Sequence, residues 1–206
     1  MGFLSRLWKR APNPTVPIDA TKVARTMLGV ITRDLLVTAN LLREQDINIS
    51  DAQSERLFTE LFLYHFTLFS VQFVFRLPSQ QEVNAVGATV LKACQEQMRS
   101  MKMPIGESLL RDSFRETCAT GVDYYGRNMI TDGDRATIAA VRRMCRFKDV
   151  DERSPIAMES RLLARVCHVV GVELPNLIVL PLHVHYAQTI ISMNDDLKRL
   201  DTAAAF

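Results

Sequence analysis

The segment from Glu60 to Arg76 reads ELFLYHFTLFSVQFVFR, and no acidic residue, lysine or arginine lies between its two ends. Six of the chain's ten phenylalanines lie between Phe58 and Phe75. On a helical wheel five of them form one stripe, and other apolar residues cover much of the opposite side. A helix that is apolar on nearly all sides lies either at the centre of a bundle or inside a membrane.

The length of the segment favours the bundle. Spanning a bilayer takes about 20 apolar residues, whereas only fifteen residues without formal charge separate Glu60 from Arg76. We therefore predict a central core helix, and burying five phenylalanines should stabilise the fold by about 10 kcal/mol before the entropy cost. An apolar ligand pocket or a dimer seam along this helix is the alternative interpretation.

The remaining sequence also favours helices, because only eight of its 206 residues are glycine and no hairpin turn lies between alternating strands. The local signals are capping boxes at Ser50–Gln53 and Ser79–Glu82, a helix start at Pro155, a helix stop at Gly171, and breaks at Pro175 and Pro181. Together these patterns predict an all-α protein, a single compact helical bundle of about seven helices with a central Phe-rich helix.

Residues 1–10, MGFLSRLWKR, form a basic amphipathic tip, and residues 11–17, APNPTVP, form a Pro-rich linker before the predicted all-helical domain of residues 18–206. Apolar and basic side chains of the tip fall on opposite sides of a helical wheel: Phe3, Leu4, Leu7 and Trp8 against Arg6, Lys9 and Arg10. Such a tip suits an anionic membrane surface, a protein partner or docking on its own domain, and disorder is a further alternative.

The net charge and the cysteine content bear on the partners and the cellular compartment of the protein. The formal net charge is +2 at pH 7, so we do not expect nucleic-acid binding, and the basic run at residues 142–148 is typical of a solvated helix end. The four cysteines are more than twenty residues apart and lie on apolar helical stripes, which predicts buried free thiols in a reducing compartment. We therefore expect a cytoplasmic protein, membrane-associated if the tip binds lipid, and not a secreted one.

A small set of polar residues interrupts the apolar stripes. Asp34 lies within the stripe of the first helix, one turn before Thr38, and a buried carboxylate needs a cation or several donors. His65, Gln72 and Arg76 share one edge of the Phe-rich helix. We predict a buried network or a polar pocket at these five residues. A structural ion pair is the favoured role of Asp34, and a functional acid is the alternative.

Motifs of known chemistry are missing from the sequence. We find no paired E-x-x-H, no H-E-x-x-H and no Gly-rich phosphate loop. His183 and His185 diverge by about 200° on a helix and could not share a metal ion there. We therefore expect no catalytic, cofactor-binding or metal site.

These observations lead to two functional hypotheses. The first is a non-enzymatic helical module for protein interaction or self-association, tethered weakly to a membrane surface by its tip; its partner is a protein or a second copy. The alternative is a helical protein that binds, or acts as an enzyme on, an apolar small molecule in a pocket along the Phe-rich helix.

Overall fold

The computed structural model describes residues 19–74, 79–101, 108–111, 114–126, 155–172, 174–175, 177–186 and 188–189. Every regular element in these ranges is helical. The elements are α1 (Ala20–Arg43), α2 (Asp51–Val74), α3 (Gln80–Ser100), a 3₁₀ turn (Ser108–Leu110), α4 (Phe114–Gly126), α5 (Pro155–Val170), and α6, which we define as the helical residues 177–186. The all-helical prediction is confirmed there. The total of about seven helices concerns the whole chain and stays a prediction.

The Phe-rich helix α2 lies at the centre of the described bundle, because it contacts α1, α3, α4 and α5. Every side chain from Leu61 to Phe69 is buried. The ring of Phe62 stacks on that of Phe66 at 6.0 Å and meets the edge of Phe114 on α4 at 5.4 Å. The composition of α2 therefore fits a helix with neighbours on several sides.

The predicted capping box at Ser50–Gln53 is confirmed, and at the second predicted box Ser79 is confirmed as the N-cap of α3. The Ser50 N–H donates to Gln53 Oε1 at 2.9 Å, and the Gln53 N–H donates back to Ser50 Oγ at 3.3 Å. At the start of α3 the Glu82 N–H donates to Ser79 Oγ at 3.2 Å. The Gln53 side chain also donates to the carbonyl of Val170 at 3.0 Å, so this cap ties the start of α2 to the end of α5.

The two proline breaks predicted near the chain's C-terminal end have different outcomes. Pro175 does precede a helix, since its carbonyl accepts from the N–H groups of Ile178 at 2.8 Å and Val179 at 3.1 Å. The break at Pro181 is wrong, because α6 continues through it. Pro181 removes the donor to the carbonyl of Leu177, and water can replace that donor because Leu177 and Pro181 are both exposed.

Several predictions lie outside the described residues. These are the N-terminal tip at residues 1–10, the linker at residues 11–17, the basic run at residues 142–148, and the cysteine at position 145. The division of the chain into tip, linker and helical domain therefore stays a prediction. Of the other cysteines, Cys94 and Cys118 are buried free thiols, and Cys167 is partly buried.

Candidate functional site

Asp34 on α1 is fully buried, and side chains from two other helices bind its carboxylate. His65 Nε2 of α2 lies 2.8 Å from Oδ2, and His185 Nε2 of α6 lies 2.9 Å from Oδ1. The Thr189 hydroxyl donates to Oδ1 at 3.2 Å, and Nε of Arg33 lies 3.7 Å from the same oxygen. We call these five residues the Asp34 cluster, and they join α1, α2 and α6 at one carboxylate.

Two opposing effects set the charge of Asp34. Burial alone would raise the pKa of Asp34, because it removes water from the charged form. Hydrogen bonds and charge from His185 and His65 outweigh burial and lower the pKa to about 2. The carboxylate is therefore ionised at neutral pH and acts only as an acceptor, so each histidine turns an Nε2–H toward it.

Thr38 adds a second contact between α1 and α6. Its hydroxyl donates to the backbone carbonyl of Asp34 at 2.6 Å and lies 2.7 Å from the hydroxyl of Tyr186. Because a threonine hydroxyl has one hydrogen, Tyr186 is the donor in the second bond. The ring of Tyr64 on α2 lies 6.4 Å from that of Tyr186, and the Tyr64 hydroxyl has no hydrogen-bond partner among the described residues.

A second buried carboxyl group lies on α5. Oε2 of Glu159 lies 3.1 Å from Nδ1 of His183 on α6, and both residues are buried. Burial raises the pKa of Glu159 to about 8 and lowers the pKa of His183. Both shifts disfavour charge, so at neutral pH both groups are neutral, and the contact between Oε2 and Nδ1 does not have hydrogen-bond geometry. We call these two residues the Glu159–His183 pair.

The structure brings together three of the five predicted polar residues, Asp34, Thr38 and His65. Gln72 lies in α2, but its side chain and the whole of Arg76 lie outside the described residues. The predicted contact residues of the tip lie outside them as well: Phe3, Leu4, Arg6, Leu7, Trp8, Lys9 and Arg10.

Sequence reasoning missed the contributions of α5 and α6. His183 and His185 diverge on α6, as predicted for a helix, but neither of their acidic partners was predicted. A signal for Glu159 was present, since it shares the apolar face of α5 with Leu162 and Val166. Among the described residues, no group of three His, Cys, Asp or Glu side chains is arranged to hold a metal ion.

The outer face of α6 is apolar and open to solvent. Leu177, Leu180 and Val184 are 73%, 44% and 46% exposed, and their spacing places them along one side of the helix. Residues 177–186 include no aspartate, glutamate, lysine or arginine. We call these three residues the outer stripe, and it lies on the same helix that turns His183 and His185 toward buried acids.

Comparisons with known proteins do not assign a function to these residues. No family model, curated protein or solved structure matches the chain. Over the described residues, none of the helices combines the length and the hydropathy that crossing a bilayer requires. The two buried acids and the outer stripe of α6 are therefore the features from which a function is inferred.

Proposed function

We propose that this chain is a non-enzymatic helical interaction module that self-associates through the outer stripe of α6. The observation that carries the proposal is the exposure of Leu177, Leu180 and Val184 on one helical face. Contiguous exposed apolar side chains are typical of surfaces that bind a partner. Two-fold symmetry would place this stripe against its own copy in a dimer.

The charge of the stripe favours a second copy as the partner. Residues 177–186 include no lysine, arginine, aspartate or glutamate, so two identical stripes can meet without like charges facing each other. The three side chains of the outer stripe offer a charged partner no opposite charge. The inner contacts of His183 and His185 fix the rotation of α6, which keeps the outer stripe turned to solvent.

Sedimentation analysis of a matched pair of variants tests this proposal. We expect the wild-type protein to be dimeric at about 100 μM, above a dissociation constant in the micromolar class. Leu177→Lys combined with Val184→Lys should give a monomer, because four ammonium groups would crowd the two-fold interface. The control is Leu36→Lys on α1, an equally drastic change at a residue 58% exposed, which should leave the dimer intact.

A monomeric wild-type protein at that concentration contradicts the proposal. Equal loss of the dimer in the Leu36→Lys control would also contradict it, because that result would move the interface to α1. Circular dichroism of each variant verifies that the helices are retained before the masses are compared.

The N-terminal tip adds a second part to the proposal, a weak tether to an anionic membrane surface. The support is its sequence, in which apolar Phe3 and Trp8 oppose basic Arg6 and Lys9. A dimer would carry two tips, and two weak contacts bind more strongly than one. Flotation with anionic vesicles, with and without residues 1–17, tests the tether, and equal recovery of both proteins rules it out.

The alternative function, binding of an apolar small molecule along α2, is less well supported. The rings of Phe62, Phe66 and Phe114 contact one another in the described part of the core, as expected of packed side chains. Native mass spectrometry of freshly purified protein distinguishes the two functions. A retained small molecule would support the alternative, and a ligand-free dimer would support self-association.

A further inference from the structure

The outer face of α1 carries positive charge that no exposed acid of the same helix balances. Within Ala20–Arg43 the only acidic residue is Asp34, and it is fully buried. The basic residues of the helix are all exposed, and they are Lys22, Arg25, Arg33 and Arg43. These four cations extend over about 32 Å of helix, at 1.5 Å per residue.

The cations lie on one side of α1. At 100° per residue their side chains fall within an arc of about 80°, and the same arc includes Gly29 and Leu36. The buried residues of α1 occupy the opposite side of the helix. A Cβ added at Gly29 would have no atom within 4 Å, and Leu36 is 58% exposed, so the described residues leave the middle of this side uncovered. We call Lys22, Arg25, Arg33, Leu36 and Arg43 the basic face.

The exposed charges of two other helices do not show this imbalance. On α3 the exposed basic residues are matched in number by exposed acids, and on α4 the acids outnumber the single basic residue. These residues are Lys92 and Arg99 with Glu82 and Glu96 on α3, and Arg115 with Glu116 and Asp123 on α4. The basic face is therefore a local feature of α1 rather than a result of the small net charge of the chain.

We propose that the basic face of α1 binds an anionic membrane surface, as a second contact beside the N-terminal tip. This inference rests on the membrane tether proposed above and adds a folded surface to it. Lysine and arginine side chains close to a bilayer are attracted by the negative charge of its anionic lipids. The order of the chain supports the proposal, because only nine residues, 11–19, separate the tip from the first residue of α1. Both contacts can therefore reach one membrane surface.

The composition of the basic face favours a lipid surface over a nucleic acid. Leu36 lies within the arc of cations, and an exposed leucine is stabilised where headgroups meet acyl chains. A phosphate backbone offers Leu36 no apolar contact. Residues 20–43 include no aromatic side chain on which an unpaired base could stack.

Vesicle flotation of two charge-matched variants of the full chain tests the basic face. The first variant combines Lys22→Gln with Arg25→Gln and leaves the Asp34 cluster intact. The control combines Lys92→Gln on α3 with Arg115→Gln on α4, so both proteins lose the same charge from exposed helical positions. Glutamine is a good helix former, and circular dichroism verifies that both variants are folded.

The vesicles contain either about 30% phosphatidylserine or phosphatidylcholine alone. At about 0.15 M salt we expect the first variant to bind phosphatidylserine vesicles about 10- to 30-fold more weakly than the wild type, because two cations are lost from the lipid surface. The control should differ from the wild type by less than about twofold. Wild-type binding should also fall at about 0.5 M salt and with phosphatidylcholine alone.

Equal binding of the first variant and the wild type refutes the basic face. An equal loss in the control also refutes it, because binding would then follow net charge rather than position. A duplex of about 20 base pairs serves as the competing probe. Tight binding of the duplex that the first variant abolishes, with vesicle binding unchanged, would identify a nucleic acid as the partner and refute a lipid contact.

The same experiments separate this inference from the proposed function. If a protein without residues 1–17 floats like the wild type while the first variant does not, the tip is excluded and the basic face is supported. If the wild type binds neither kind of vesicle, both membrane contacts are refuted and self-association is unaffected. Sedimentation analysis of the first variant should give the mass of the wild type. A lower mass would refute the assignment, because weaker binding would then follow from loss of the dimer.

Discussion

Asp34 and Glu159 are both buried carboxyl groups that contact a histidine of α6, yet their pKa values move in opposite directions. The pKa of Asp34 falls to about 2, and the pKa of Glu159 rises to about 8. Burial acts in the same sense on both, since it disfavours the charged form. The difference therefore comes from their hydrogen-bond partners.

Asp34 has three donors on its two oxygens, from His65, His185 and Thr189, with the guanidinium of Arg33 nearby. Glu159 has one neighbouring imidazole, whose own pKa is lowered by burial. Several donors compensate for lost water and keep a carboxylate ionised, whereas a single neutral neighbour does not. The same helix thus forms a charged contact on one side and a neutral contact on the other.

The largest expected effect is that of Asp34→Asn. The amide puts an NH₂ group among three donors and removes the negative charge, so we expect the free energy of unfolding at pH 7 to fall by about 3 kcal/mol. Since the folded-state pKa of about 2 lies below the ordinary 3.8, the carboxylate stabilises the fold above pH 3.8 and loses this effect toward pH 2. Urea denaturation at pH 7 and pH 3 should therefore show a smaller difference at pH 3.

Asp46→Asn is the matched control for this change. Asp46 is exposed, and asparagine tolerates its positive φ of 57°. The control should alter the free energy of unfolding by no more than about 0.5 kcal/mol. An unchanged stability of Asp34→Asn would mean that the bonds to His65 and His185 do not contribute.

The same acid-to-amide change at Glu159 should have the opposite sign. Because the folded-state pKa of about 8 exceeds the ordinary 4.5, ionisation of Glu159 destabilises the fold as pH rises through this interval. Glu159→Gln cannot ionise, so at pH 8.5 we expect it to be more stable than the wild type by about 2 kcal/mol or more. At pH 4.5 the two proteins should nearly coincide in urea denaturation. A loss of stability at pH 8.5 would show that the ionised form is the one bonded.

Substitution of two buried tyrosines should have the smallest effects on stability. Tyr186→Phe removes the donor to Thr38 and should cost about 1 kcal/mol in the free energy of unfolding. Tyr64→Phe removes a buried hydroxyl that has no partner among the described residues, and we expect no loss or a small gain. Thermal melts of both variants separate the two cases. A clear loss for Tyr64→Phe would indicate an internal water or other partner at that hydroxyl.

The features that were predictable from the sequence are local ones. The capping box at Ser50–Gln53 and the stop at Gly171, whose φ is +79°, each depend on residues within one helical turn. The central position of α2 was also predictable, because it depends on the composition of one segment that is apolar on nearly all sides. Pro181 was misjudged because its neighbours' exposure to water, which permits a proline inside α6, is a tertiary property.

The partners of Asp34 were not predictable in the same way. Periodicity showed that this carboxylate faces the interior, but it does not show which helix packs against that face. His65 lies 31 residues away in sequence and His185 lies 151 residues away. Glu159, like Asp34, is an acid on an apolar helical face. Its contact with His183 could be found only once the position of α6 was known.

The long sequence separation between Asp34 and His185 has a consequence for how the chain acquires its structure on the ribosome. Helices α1 and α2 leave the ribosome before α6, and the bond between Asp34 and His65 can form while α6 is still unmade. The remaining donors arrive more than a hundred residues later, with His185 and Thr189. Until then the nascent chain holds a carboxylate with only part of its donors beside the incompletely covered apolar helix α2, and apolar surface exposed in this way is prone to aggregation.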